Sequence, residues 1–167
     1  VARLGTRERW RAVHLACHGL VDLERPTLSA LALTAEGPDD GRLRCLDVFT
    51  LRAPADLVVL SACETGRGKV YAAEGVMGLT RAFFYAGAPR VLSSLWKVDD
   101  DATQALMVKF YEGWLGSTRS ESGAAPGESK GMSAAKALKQ AQEHVRSQEK
   151  WKHPYYWAAW VLWGLPS

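Results

Sequence analysis

A short apolar run that leads into a glycine-containing segment constrains the fold of this chain most strongly. Leu57–Leu60 reads Leu-Val-Val-Leu and comes shortly after Pro54. Runs of this length, rich in β-branched residues and bounded by turn formers, are typical of parallel strands buried on both faces. The chain continues as Ser-Ala-Cys-Glu-Thr-Gly over 61–66. Because ligands bind at the carboxyl ends of parallel strands, we expect Cys63 at the mouth of a crevice.

A second strand-to-glycine junction carries a histidine. Residues 12–19 read Ala-Val-His-Leu-Ala-Cys-His-Gly, and His18 follows this apolar run as Cys63 follows its own. A neighbouring imidazole is the usual base that holds a cysteine as thiolate. If the two strands are neighbours in the sheet, His18 and Cys63 emerge side by side.

Strand and helix patterns alternate along the rest of the chain. A hairpin is predicted from Leu28–Thr34 and Arg42–Leu46, around the turn residues Glu-Gly-Pro-Asp-Asp-Gly. Further elements are predicted as a short helix capped by Asp47, a helix over Ala72–Ala86, a strand over Arg90–Trp96, a helix capped by Asp99 or Asp100 with Leu106, Phe110 and Trp114 inward, a helix capped by Ser133, and a closing strand over Tyr155–Trp163. Since parallel neighbours require crossover helices, this order predicts an α/β sandwich around a parallel sheet.

Composition indicates an ordinary globular chain. The 167 residues are 47% hydrophobic and 23% charged, which fits a single domain over 1–167. The Gly- and Ser-rich stretch 116–131 is predicted to be a mobile surface loop within it. The net charge is only +3 and the basic residues are scattered, so neither a nucleic-acid partner nor a membrane surface is expected. Three cysteines without paired spacing, and no signal peptide or long apolar span, lead us to expect a cytoplasmic protein.

The two junctions together resemble the CHAT family, bacterial relatives of caspases and separase that share a His/Cys dyad. Five later segments resemble the family pattern in the same order, at 74–88, 90–103, 106–111, 137–142 and 153–164. The resemblance implies a caspase-like three-layer α/β/α sandwich around a mostly parallel sheet. The chain begins at Val1, and family members are longer at the amino end, so one or two early strands and any regulatory repeats are expected outside this sequence.

The resemblance also implies a reaction. His18 would act as general base and acid, Cys63 as the nucleophile, and the backbone N–H groups of Gly19 and Cys63 as donors to the oxyanion. The expected function is a cysteine endopeptidase that cuts a protein or peptide substrate, needs no cofactor, and is controlled by repeat modules on the same chain. The alternative is a catalytically silent CHAT module that serves as an interaction or signalling scaffold.

Simpler interpretations of the same residues stay open. Cys63 could be a small buried hydrophobe. Glu64, Asp99 and Asp100 could form a substrate pocket that favours a basic residue, but an Asp at a helix start is commonly a cap. Cys17, one residue from His18 on a strand, should point to the opposite face and enter the core.

Two other kinds of site fit less well. His14 and His18 have the His-x-x-x-His spacing of a zinc site, yet this spacing converges on a helix, and the segment is predicted to be a strand. Gly68-Lys69 matches part of a phosphate-binding loop, but Cys63 replaces its first glycine and Val70 replaces the metal-binding Ser or Thr.

Overall fold

A computed structural model describes residues 8–20, 22, 24–61, 69–116 and 131–165. Contacts divide the chain into two compact units. The first comprises Val1–Lys97 with Trp163–Leu165, and the second comprises Val98–Leu162 with Pro166–Ser167. Within the described ranges, no helix is long and apolar enough to span a bilayer. That the chain forms one domain stays a prediction.

Strands and helices alternate as expected for an α/β protein. In chain order they are β1 (Trp10–Leu15), β2 (His18–Leu20), β3 (Ala30–Ala32), β4 (Arg42–Arg44), α1 (Cys45–Thr50), β5 (Ala55–Leu60), α2 (Lys69–Tyr85), β6 (Arg90–Ser94), α3 (Asp100–Leu115), α4 (Ala134–Arg146) and β7 (Trp160–Gly164). Short 3-10 helices occupy Pro26–Leu28, Glu149–Trp151 and Pro154–Tyr156.

The main sheet has the strand order β1-β5-β6-β7. β5 pairs in parallel with β1 on one side and with β6 on the other. Its residues Leu57, Val58 and Val59 are 0% exposed and Leu60 is 3% exposed, so the strand is covered on both faces. The apolar run at 57–60 therefore forms the buried parallel strand that its sequence predicts.

The second sheet is small and antiparallel, with the order β2-β3-β4. It contains the predicted hairpin, although each of its strands is only three residues long. A bridge between Glu36 and Asp39 closes the hairpin tip. Gly41, at φ +70°, lets the chain turn back into β4, where a side chain would collide with the Leu33 carbonyl.

Two helices complete the core of the first unit. α1 begins at Cys45, two residues before the predicted cap, and the Asp47 carboxylate instead accepts the Arg44 N–H at 2.8 Å from inside the first turn. α2 begins three residues earlier than predicted and places Leu79 and Phe83 in the hydrophobic cluster. Gly87, at φ +108°, follows shortly after its end, where glycine commonly closes a helix.

The second unit packs α3 against α4. Leu106, Phe110 and Trp114 form the buried stripe of α3 that the sequence predicts. Ser133 caps α4 by accepting the Lys136 N–H at 3.4 Å, also as predicted. The inward face of α4 consists of small and aliphatic side chains, namely Ala134, Ala137, Leu138, Ala141 and Val145.

The predicted closing strand over Tyr155–Trp163 is wrong in its first half. Pro154 begins a 3-10 turn, whose first N–H group donates from Tyr155 to the His153 ring at 3.2 Å. The strand starts only at Trp160. Aromatic side chains are enriched in strands, so their density over 155–159 extended the predicted strand too far towards the amino end. The predicted loop at 116–131 falls largely on residues 117–130, outside the described part of the chain.

Candidate functional site

The carboxyl ends of β1 and β5 lie side by side. Leu15 is the register partner of Leu60, and the Ser61 N–H donates to the Leu15 carbonyl at 3.0 Å. The two strands are therefore neighbours, which is the condition on which a side-by-side placement of His18 and Cys63 depends. His18 and Cys63 each come three residues after this aligned pair in the sequence.

His18 belongs to the small sheet. The first strand is predicted to end at Cys17, but β1 ends two residues earlier, at Leu15. The chain then enters β2, whose first residue is His18. The His18 side chain is exposed and pairs across the sheet with Ala32. Gly19, next to it, is buried opposite Leu31.

Cys63 and Glu64 lie outside the described residues, so their predicted roles stay predictions. Asp99 is the N-cap of α3, and its Oδ1 accepts the Ala102 N–H at 2.9 Å. Asp100 is exposed in the first turn of the same helix, where a carboxylate favours the helix dipole. Asp99 therefore has the structural role of a helix N-cap. A substrate-binding role for Asp99 or Asp100 remains a prediction.

The other two cysteines are poorly suited to attack a substrate. Both are free thiols. Cys45 is 2% exposed within the core cluster, and Cys17 is half-buried against that cluster, although it lies in the link between β1 and β2 and not in the predicted strand. Burial raises the pKa of both thiols above its ordinary value, which disfavours the nucleophilic thiolate. Cys63 is thus the remaining candidate nucleophile.

His14 is separated from His18 by the break between the two sheets. It lies in β1, where its register partner in β5 is Val59, and it is exposed. Partial burial lowers the pKa of His14 below its ordinary value. In the described part of the chain, no group of three or more His, Cys, Asp or Glu side chains could hold a metal ion.

The sequence analysis missed two arginines that share a sheet face with His18. The register places His18, Ala32 and Arg42 in one row, and Leu20, Ala30 and Arg44 in the next. The residues between these rows point to the core, where Leu31 is 0% and Leu43 is 5% exposed. The alternation in His-Gly-Leu, Ala-Leu-Ala and Arg-Leu-Arg could have revealed this face, because alternate residues on a strand share a side.

Comparison with known proteins identifies the family. A CHAT domain profile matches residues 2–165. Tetratricopeptide repeat protein 28 of Homo sapiens is 36% identical over 139 residues, and the Mus musculus protein of the same name is 34% identical. The matched region covers 83% of this chain and 5% of each relative, so the chain spans a small part of their length. Both relatives are mammalian, so the family extends beyond the bacterial members that the resemblance names. With a profile match over nearly its whole length and an α/β fold built on a mostly parallel sheet, the chain belongs to the CHAT family, whose fold is caspase-like.

Proposed function

We propose that this CHAT domain is a cysteine endopeptidase that uses His18 and Cys63 as a catalytic dyad. The observation that carries the proposal is the register of β1 and β5, whose last residues Leu15 and Leu60 are partners. An extended chain covers at most about 3.6 Å per residue, so three residues limit each dyad member to within about 11 Å of that pair. Neighbouring strands are about 4.8 Å apart, which makes a contact between the two side chains sterically accessible.

The exposure of His18 supports a role in proton transfer. A general base must reach both the thiol and the leaving amine, and the imidazole of His18 is open to solvent at the start of β2. His14 is exposed as well, but it lies within β1, before the strand end. Of the two histidines in this region, His18 is therefore the better candidate.

The proposed reaction is acyl transfer in two steps. His18 accepts the thiol proton of Cys63, and the thiolate attacks the substrate carbonyl to form a tetrahedral intermediate. The backbone N–H groups of Gly19 and Cys63 would stabilise its oxyanion. His18 then gives the proton to the departing amine, leaving a thioester on Cys63. Water, deprotonated by His18, hydrolyses the thioester and restores the free enzyme.

The relatives support control by additional modules. They are named for tetratricopeptide repeats, and the region matched here is 5% of their length. We propose that repeat modules on the same chain regulate the domain. Repeat arrays form extended binding surfaces, which favours a second candidate function, a silent CHAT scaffold. The two candidates differ in whether Cys63 is needed for covalent chemistry.

A peptide-library experiment tests the proposal. A proteome-derived peptide mixture is incubated with the chain, and the new amino termini are identified by mass spectrometry. We expect reproducible cuts that are absent in Cys63→Ser. In His18→Ala the rate should fall by about a hundredfold or more, because general acid–base catalysis is worth that much.

Cys17→Ser is the matched control for a general effect of removing a thiol. Its cleavage pattern should equal that of the unmodified chain. If the cuts persist in Cys63→Ser, or if the unmodified chain produces no cuts, the peptidase proposal is wrong and the scaffold function is favoured.

A further inference from the structure

The face of the small sheet that carries His18 is shaped as a trough. Its middle strand, β3, presents only Ala30 and Ala32 on this face, and Ala30, at 2% exposed, lies at the bottom, while β2 and β4 present larger side chains on both sides. Two strand spacings separate the walls by about 10 Å, the width that an extended chain needs. A cavity of about 580 Å³ opens here, lined by Leu20, Ala30, Arg42 and Arg44, and at one end by Asp22, Glu24, Arg25 and Leu28.

Most charges in the trough are already neutralised by neighbours. Arg44 forms an ion pair with Asp40, and its Nη1 lies 3.8 Å from Asp47. Arg25 pairs with Asp22 at 3.4 Å, and that carboxylate also accepts two backbone N–H groups of its own turn. Each of these five groups therefore already has a neighbour of opposite charge.

Arg42 and Glu24 are the exceptions. Both side chains are exposed, and neither makes a hydrogen bond or ion pair with a described residue, although the Arg42 guanidinium adds to the positive field at Asp40. Arg42 stands in the same row as His18, whereas Glu24 lies in the loop at the Leu20–Ala30 end. Among the described residues that line the trough, Arg42 is thus the guanidinium left to pair with a ligand, and Glu24 is the carboxylate left to do so.

We propose that this trough binds the substrate peptide and selects an acidic side chain through Arg42. The inference rests on the proposed peptidase function, because it uses His18 to locate the scissile bond. Arg42 faces His18 across the width of the trough, about 10 Å away, so a peptide lying along β3 would place the acidic residue close to the cut. A guanidinium binds a carboxylate with two parallel hydrogen bonds, which gives direction as well as affinity.

The charge pattern favours an acidic peptide over a basic one. A basic side chain near the histidine would meet Arg42 with no carboxylate in the same row, whereas Glu24 would accept one only at the far end. This differs from the expectation that Glu64, Asp99 and Asp100 select a basic residue. Of those three carboxylates, that of Asp99 already accepts a backbone N–H group as a helix cap, so it is less available to bind a basic substrate residue.

A binding experiment in the Cys63→Ala background tests this without requiring catalysis. Two fluorescein-labelled decapeptides serve as probes, one alternating Glu and Ala and the other alternating Lys and Ala, and anisotropy is measured at low salt. We expect the acidic probe to bind about tenfold more tightly than the basic one. Arg42→Glu should weaken the acidic probe by at least about tenfold, and Glu24→Gln should strengthen it because a like charge is removed.

Arg52→Glu is the matched control, since Arg52 is exposed and does not line the trough. It should change binding of the acidic probe by less than about twofold. Arg42→Gln removes the charge without reversing it and guards against misfolding of the charge-swap variant. Equal effects of Arg42→Glu and Arg52→Glu, or no preference for the acidic probe, would overturn the proposal.

The cleavage profile separates this inference from the function on which it rests. In the peptide library, Arg42→Glu should shift the preferred residue near the cut from acidic to basic while leaving Cys63 alkylation unchanged. A profile indifferent to Arg42 would refute the trough alone. If the parent chain cleaves no peptide but its Cys63→Ala variant still prefers the acidic probe, the peptidase function is refuted and the peptide-binding site is retained.

Discussion

The two sheets of the first unit bury their side chains differently. In the parallel sheet, the four residues Leu57–Leu60 are at most 3% exposed, so both faces of β5 are covered. In the antiparallel sheet, Leu31 is 0% and Leu43 is 5% exposed, while His18 and Arg42 on the other face are exposed. A sheet covered on both faces can place polar groups only beyond its strand ends, whereas a sheet covered on one face can display them along its length.

The two sheets therefore contribute differently to the proposed site. The parallel sheet aligns Leu15 with Leu60 and thereby fixes where the chain segments leading to His18 and Cys63 begin. The antiparallel sheet carries His18 itself and the open face beside it. Changes to the parallel sheet should therefore act on folding, and changes to the open face of the small sheet should act on binding.

Val59→Asp is expected to have the largest effect, because Val59 is 0% exposed in the centre of β5. An unpaired buried carboxylate costs several kcal/mol, which is comparable with the total stability of a typical domain. We expect the variant to be unfolded or insoluble, as measured by circular dichroism. Val108→Asp is the control, since Val108 is 53% exposed and the variant should fold normally. A folded Val59→Asp protein would contradict the double-sided burial of this sheet.

Leu31→Ala should destabilise the chain by about 2 to 5 kcal/mol in urea unfolding, because it leaves a cavity under the small sheet. Leu31 is 0% exposed and belongs to the core cluster. Leu20→Ala, on the half-buried opposite face, should cost about 1 kcal/mol or less. Similar losses in the two variants would show that the small sheet is not one-sided.

Gly41→Ala should cost about 2 to 3 kcal/mol, since a left-handed residue and a close contact combine there. An added Cβ would lie 2.6 Å from the Leu33 carbonyl oxygen at φ +70°. Gly37 in the same hairpin has φ +60° with nothing within 4 Å of the added carbon, so Gly37→Ala isolates the backbone strain and should cost about 1 kcal/mol. Urea midpoints in the reverse order would contradict the hairpin geometry.

Asp99→Ala should have the smallest effect, about 1 kcal/mol of stability, because it removes the N-cap of α3. Asp100→Ala should cost roughly half as much or less, since it removes only an interaction with the helix dipole. Thermal melting measures both variants. If Asp99→Ala instead changed cleavage specificity without a loss of stability, the predicted substrate role of this carboxylate would be supported over the cap.

Strong periodicity made much of the fold predictable from the sequence. The helical spacing of Leu106, Phe110 and Trp114 predicts a buried stripe on α3, which the structure confirms. The unbroken apolar run of β5 predicts a strand buried on both faces, which the structure also confirms. The caps Asp99 and Ser133 were equally recognisable, because few other residues satisfy free N–H groups at a helix start.

The boundaries that failed depend on tertiary context. β1 stops at Leu15 because the chain changes sheets there, and three-residue strands such as β2 carry too little periodicity to reveal such a change. Pro154 diverts the aromatic tail into a 3-10 turn before β7 begins. Arg42 was overlooked because its position relative to His18 depends on a register across two strand pairs, which no local pattern contains. The predicted dyad partner Cys63 and the pocket residue Glu64 remain predictions from sequence.

The most direct test of the proposed dyad measures the alkylation rate of each thiol against pH by mass spectrometry, in the parent chain and in His18→Ala. Burial raises the pKa of Cys17 and Cys45, so their thiolates form, and their labelling accelerates, only at higher pH than for an ordinary thiol. We predict that Cys63 is labelled rapidly below pH 7 and that this reactivity is lost in His18→Ala. Labelling of Cys63 that is as slow as that of Cys45, and unchanged by the loss of His18, would contradict the dyad.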